Sequence, residues 1–190
     1  MKRIITLVLV ISALLCTCGF AKADTEPLRT SRQNELHELA NMARAMGLPE
    51  DNPIIVEAQR LWLEEETNLR ILAKVVRNEA GYCTDRHQQL VAKVVLNRVE
   101  SPLFPDTVVD VVNAPGQYNP AYTRNLPSLQ TADAEQCRAF ENALKAMNGE
   151  VDCPANVLFQ SEFPKLGKGN YETHKVDTGW YKSTTYFNYG

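Results

Sequence analysis

The hydrophobic period of this chain changes along its length. Apolar residues recur at helical spacing from Leu36 to Met147, and only beyond them do short β-branched and aromatic runs take over. Leu36, Leu39, Ala40, Met42 and Ala43 form the first stripe, within a helix expected over Arg32 to Met46 and closed by Gly47-Leu48-Pro49. A second helix is expected from Pro53 through Ile55, Ala58, Leu61 and Trp62. A third begins after an N-cap at Thr67 or Asn68, carries Leu69, Ile71, Leu72, Ala73, Val75 and Val76, and stops at Gly81 in a left-handed turn. Asp85 caps a fourth, whose face is Leu90, Val91, Val94, Val95 and Val99. Asp106 caps a short segment from Thr107 to Asn113, and a long helix runs from about Thr131 to Asn148. Val157-Leu158-Phe159 and Thr184-Thr185-Tyr186-Phe187 read as strands separated by a Gly- and Lys-rich loop. Helices first and strands last give an α+β fold, mainly helical with a small antiparallel sheet near the C-terminus.

The N-terminus follows a different logic. Met1-Lys2-Arg3 is basic, an uncharged apolar stretch runs from Ile4 to about Phe20, and Ala21-Lys22-Ala23 has the small-x-small form that a signal peptidase accepts. Residues 1–23 are therefore read as a signal peptide, 24–66 as an N-terminal helical extension and 67–190 as the principal domain. Export places the chain in a periplasm, outside the cell or in its wall. The whole chain carries a net charge of −3, and loss of Lys2, Arg3 and Lys22 with the leader makes it more acidic. A phosphate backbone needs a basic face, so nucleic acid is excluded as a partner. Cys83, Cys137 and Cys153 remain after cleavage, and an oxidising compartment favours one disulfide with one free thiol. A bridge between Cys137 and Cys153 would have to double back along a helix, so Cys83 is the expected half, with Cys137 or Cys153 as partner. No C-x-x-C pair occurs, and His37, His87 and His174 lie far apart, so no metal site and no cofactor is expected.

One carboxyl stands out. Leu72, Val76 and Glu79 are separated by four and then three residues, which puts Glu79 on the apolar stripe at the last turn of its helix. Desolvation there and the negative end of the helix dipole both favour the protonated acid, the form that general-acid cleavage of a glycosidic bond requires. Lys74 and Arg77 point off this stripe. Position alone leaves two readings, a sheltered proton donor or a carboxylate turned to solvent at a helix end.

Blocks further along the chain bear on that choice. Leu72-Ala73-Lys74-Val75-Val76-Arg77-Asn78-Glu79-Ala80-Gly81, then Gln89-Leu90-Val91-Ala92-Lys93-Val94-Val95-Leu96-Asn97-Arg98-Val99, then Phe104-Pro105-Asp106-Thr107-Val108 and Pro115-Gly116-Gln117-Tyr118 follow in compact order. Together they resemble the catalytic domain of the spore-cortex-lytic, SleB-type cell wall hydrolases, from about Leu69 to the end. The resemblance implies a lysozyme-like fold, peptidoglycan as substrate and Glu79 as the catalytic residue. It further implies lytic transglycosylation, in which one glutamate serves as acid and then base and the muramic acid 6-hydroxyl closes onto C1 to give a 1,6-anhydro sugar. Hydrolytic muramidase action, stem-peptide amidase action and non-catalytic wall binding are the alternatives.

The chain departs from that pattern at two places. The family usually reads Glu-Ala-Arg-Gly-Glu where this chain has Glu79-Ala80-Gly81-Tyr82-Cys83, and Gly-x-His-x-Phe-Tyr where it has Ser183-Thr184-Thr185-Tyr186-Phe187. The family's wall-binding repeats do not appear either, so targeting falls to the catalytic domain or to a separate protein, with the chain itself expected to act as a monomer. Gln117 and Tyr118 are assigned to the cleft, Trp180 and Tyr186 to sugar stacking, and Asn97 and Arg98 either to bracing and contacting the cleft or to structural hydrogen bonds. Phe159 and Phe187 are expected in the core, and His174 at the surface.

Overall fold

Each helix starts at a side chain that takes the place of a missing backbone acceptor. Thr30 opens α1 (Ser31–Ala45), accepting from the Gln33 amide at 3.0 Å while the Gln33 side chain accepts from the Thr30 amide. Asn52 caps α2 (Pro53–Ala80), with Pro53 in the first turn. Thr84 caps α3 (Asp85–Glu100), Thr107 caps α4 (Val108–Asn113), and Asp133 caps α5 (Ala134–Met147) in a capping box with Gln136. The expected caps at Asp85 and Asp106 thus move by one residue, because a threonine hydroxyl stands next to each aspartate and does the capping. Asp85 becomes the first helical residue of α3, where a carboxylate suits the positive end of the dipole.

The computed structural model describes residues 28–164 and 166–190, and the expected signal peptide, residues 1–23, lies outside the described residues. The second and third expected helices are one. α2 runs for 28 residues without a break, and Thr67, expected as a cap, donates its hydroxyl to the Leu63 carbonyl at 2.8 Å inside it. No Gly or Pro falls between Ile54 and Ala80, and extending a helix costs far less than nucleating a second one. The expected domain boundary at residue 67 therefore falls inside a helix. Gly81 also departs from expectation: its backbone is right-handed helical, with φ −54° and ψ −35°. A β-carbon there would lie 2.5 Å from the Arg77 carbonyl oxygen and from a guanidinium nitrogen. Close approach, not a left-handed turn, requires glycine.

α2, α3 and α5 pack on one another, and α1 packs along α2. Leu72, Val75, Val76, Leu90, Val91, Val94 and Phe140 fill the space between the three helices. The sheet is antiparallel, in the order β1-β3-β2, with β1 Val157–Ser161, β2 Asn170–Asp177 and β3 Lys182–Tyr189. β2 lies in the stretch expected as loop. It is polar along most of its length, so its pairing with β3 and not an apolar alternation makes it a strand. Phe187 and Val157 are buried beneath the sheet, and the partly buried Phe159 meets Phe104 edge to face.

The expected disulfide is not formed: Cys83, Cys137 and Cys153 are all free. Cys137 lies in the first turn of α5, its sulfur 3.8 Å from the Ala132 carbonyl, while Cys153 follows the other end of that helix beside Asn97. Cys83 turns into the helical core instead. Burial pushes the thiols of Cys83 and Cys153 up in pKa, which disfavours the thiolate that disulfide exchange needs. No helix among the described residues is long and apolar enough to cross a membrane.

Candidate active site

The last turn of α2 and the turn into α3 border a hollow of about 220 Å³, lined by Arg77, Asn78, Glu79, Ala80, Gly81, Tyr82, Cys83 and, from the β2–β3 hairpin, Tyr181. A second hollow of about 340 Å³ lies along α2 on the side of Lys74, Asn125, Gln136 and Phe140. Arg77 and Asn78 belong to both, so the two adjoin.

Glu79 is exposed in the first hollow, not sheltered on the apolar side as its spacing suggested. Leu72 and Val76 on the same stripe are fully buried, but the stripe fixes a direction and not a depth. At residue 79 the core that covers the stripe has ended. Its Oε1 accepts a hydrogen bond from the Tyr122 hydroxyl at 3.0 Å. Tyr122 belongs to a 3₁₀ turn, Pro120–Thr123, whose first turn is capped by the Asn119 side chain at 2.9 Å from the Ala121 amide. Partial burial, then the charge of Glu79 and their hydrogen bond, push the Tyr122 phenol up to about 12, so it remains a donor throughout the neutral range.

That turn is fastened to the helix carrying Glu79. Lys74 donates its ammonium to the Ala121 carbonyl at 2.9 Å and also to the carbonyls of Arg124 and Asn125. Thr123 adds a hydroxyl bond to Asn113 at 3.1 Å. Arg77 pairs with Glu135 in the first turn of α5, and its guanidinium lies 5.9 Å from the Tyr82 ring centre. Lys74 and Arg77 thus have partners other than the Glu79 carboxyl.

The other expected site residues divide between surface and frame. Gln117 is exposed in the loop after α4. The Tyr118 hydroxyl is buried without a hydrogen-bond partner, and burial pushes it up to about 12 despite the Arg98 charge. Asn97, 1% exposed, donates to the carbonyls of Pro154 and Val157 at 2.9 and 3.0 Å. Arg98 donates to the Leu158 carbonyl at 2.7 Å and lies between the rings of Phe104 and Tyr118. These two side chains spend their polar groups tying α3 to β1. Tyr186 pairs with Ser161 and Thr173 and occupies the face of β3 opposite Phe187. Trp180 stands at the hairpin tip, edge to face with Tyr82 at 5.1 Å, which brings it to the rim of the first hollow.

His174, expected at the surface, is instead partly buried. It bonds Glu172 at 2.9 Å and packs against His87 and Phe187. Three residues of the site escaped the sequence reading: Tyr122, Tyr82 and Tyr181. Tyr122 follows an Asn119-Pro120 turn signal but has no periodicity, and its approach to Glu79 depends on a fold-back of 43 residues. Among the described residues no group of three or more His, Cys, Asp or Glu side chains converges as a metal site would require.

Comparison with known proteins gives one match. Neither the curated proteins nor the solved structures yields a match to the chain. The family model described as Cell Wall Hydrolase matches residues 84–188, from the cap of α3 through most of β3. This span holds Tyr122, Trp180 and the braces Asn97 and Arg98, while Glu79 stands just before it on the helix that packs into it. With more than half of its residues matched, the chain belongs to the cell wall hydrolase family, whose substrate is the peptidoglycan of the wall.

Proposed function

We propose that the chain cleaves the glycan strands of peptidoglycan by lytic transglycosylation, with Glu79 as the single acid and base. The observation that carries this reading is a solvent-facing glutamate in a hollow, with one oxygen fixed by the Tyr122 hydroxyl and no second carboxylate among the residues lining that hollow. In the first step Glu79 protonates the glycosidic oxygen, and the bond to C1 breaks. In the second its carboxylate takes the proton of the muramic acid 6-hydroxyl, whose oxygen bonds to C1 as the 1,6-anhydro ring closes. Glu79 is regenerated, and no water is consumed. A retaining glycosidase of the two-carboxylate kind would need a nucleophile about 5 Å away, and an inverting one a base at roughly 6.5–9.5 Å. Asn78, which lines the hollow, offers a donor and an acceptor for the sugars. Such a substrate lies outside the cytoplasmic membrane, which accords with the export signal read from residues 1–23.

Mass spectrometry of digested peptidoglycan tests the reading directly. Anhydro-muropeptides are expected from the unaltered chain and none from Glu79→Gln. Reducing muropeptides would replace transglycosylation with hydrolysis, and free stem peptides would replace glycan cleavage with amide cleavage.

A further inference from the structure

Two aromatic side chains that line the Glu79 hollow, Tyr82 and Tyr181, and Trp180 against Tyr82 are left in solvent. Trp180 is 72% exposed, Tyr82 53% and Tyr181 38%. They come from two distant segments, the α2–α3 turn and the tip of the β2–β3 hairpin, and meet there. Tyr82 and Trp180 stand edge to face, with their rings 5.1 Å apart at 84°, and Trp180 and Tyr181 are 6.0 Å apart at 47°. The arrangement thus presents ring faces in more than one orientation.

The hairpin tip that carries Trp180 is braced. Thr178 and Tyr181 exchange a backbone bond of 2.9 Å and a side-chain bond of 3.1 Å. The Gly179 amide donates to Asp177 at 2.9 Å, and Lys182 pairs with Asp177 at 2.8 Å. The Arg77 guanidinium lies 5.9 Å from the centre of the Tyr82 ring. Exposed rings that hold one geometry yet cover no core leave apolar surface available for a ligand.

The ligand must match a mixed surface. Tyr82 and Tyr181 share the hollow with Asn78 and Glu79, so ring faces lie beside an amide and a carboxyl. A pyranose has this complementarity: its C–H face lies against an aromatic ring while its hydroxyl and acetamido groups at the edge seek donors and acceptors. We infer that Tyr82, Tyr181 and Trp180 form a stacking platform that seats an N-acetylated hexosamine ring of the glycan next to Glu79. This rests on the reading that the chain acts on glycan strands. Tyr82 lies in the stretch Gly81-Tyr82-Cys83, where the chain departs from the sequence pattern it otherwise resembles, so the platform is a property of this chain's own residues.

The test is calorimetric titration of the full chain carrying Glu79→Gln with the β-1,4-linked tetramer of N-acetylglucosamine, so that no turnover disturbs the heats. Trp180→Ala and Tyr82→Ala are each expected to weaken binding by about threefold to tenfold, the size of one stacked ring. Trp180→Tyr, which keeps a ring, should recover most of the loss. Trp180 is exposed at a turn, so its removal leaves the core untouched, and circular dichroism checks this. Absence of saturable binding by the parent, or alanine variants that bind as tightly as the parent, would overturn the platform. Failure of the proposed function appears elsewhere, in the products of the chain with Glu79 intact, so the two outcomes are separable.

Discussion

His87 makes the stability of this fold depend on pH. It lies in the first turn of α3 against the sheet, 3% exposed, with its Nδ1 buried and lacking a hydrogen-bond partner. From β3 it meets the Phe187 ring at 5.3 Å, and from β2 the His174 ring at 5.2 Å. Glu172 is the carboxylate of this cluster, and it is engaged by Arg86 and by His174. Burial first, and then His174, bring the His87 imidazole from 6.5 down to about 4. The folded state therefore holds a neutral imidazole in a range where the unfolded chain binds a proton. Stability from this group is complete above the unfolded value and is lost as pH falls toward the folded one. One pH unit is worth about 1.4 kcal/mol, so lowering the pH from 7 to 5 should remove about 2 kcal/mol. Urea unfolding at pH 7, 6 and 5 measures this, with His87→Leu as the control that keeps an apolar volume and cannot titrate. The unaltered chain is expected to lose about 2 kcal/mol more than the variant over that range. Parallel losses would refute the argument, since the acid sensitivity would then belong to other groups.

Three further outcomes follow from particular contacts. Glu79→Gln should lower glycan cleavage at least about 100-fold without moving the thermal midpoint, because the exposed side chain contributes little to packing; rates on purified peptidoglycan decide it. Tyr122→Phe removes the donor at 3.0 Å from Glu79 and should cut kcat about tenfold with no loss of fold, and an unchanged kcat would deny the pairing a part in the reaction. Asn97→Ala leaves the carbonyls of Pro154 and Val157 without their donor and should cost about 1–3 kcal/mol in urea unfolding, while affinity for the sugar tetramer stays as it was.

The helical part of the fold was legible because its signals are local. Gly47 and Gly149 mark helix ends with positive φ, and the stripes of α3 and α5 give their buried faces, whereas in α1 only Ala40 and Ala43 of the stripe are buried and Met42 is exposed. What misled the reading was also local. Thr67 resembles a cap, yet α2 continues through it; β2 resembles a loop, yet β3 supplies it with hydrogen bonds that no apolar alternation announces. Of the residues around the first hollow, the sequence pointed to Glu79 and Trp180. Tyr122 and Tyr181 are placed by turns whose geometry depends on Lys74 and Asp177, and long-range contacts of this sort leave no period in the sequence. Asn97 and Arg98 are buried and bond the carbonyls of Pro154, Val157 and Leu158, which agrees with the structural hydrogen-bond role that the sequence left open for them.

The unbroken course of α2 explains how an exposed carboxyl can nevertheless be held in place. Lys74 and Glu79 lie on one rigid segment, five residues or about 7.5 Å of helix rise apart. Lys74 grips the backbone of the Tyr122 turn, and Tyr122 returns to Glu79, so helix, turn and hydroxyl close a loop around the acid. The buried faces of Leu69, Leu72 and Val76 set the rotation of α2 against α3 and α5, and α1 packs along its N-terminal half. The segment before residue 67 is thus continuous with the helix that carries Glu79. A glutamate at a frayed helix end would sample many positions around a bound sugar. Here the backbone of α2 and the hydroxyl of Tyr122 restrict both ends of the Glu79 side chain, the preorganisation that the proposed proton transfer to a glycosidic oxygen would need.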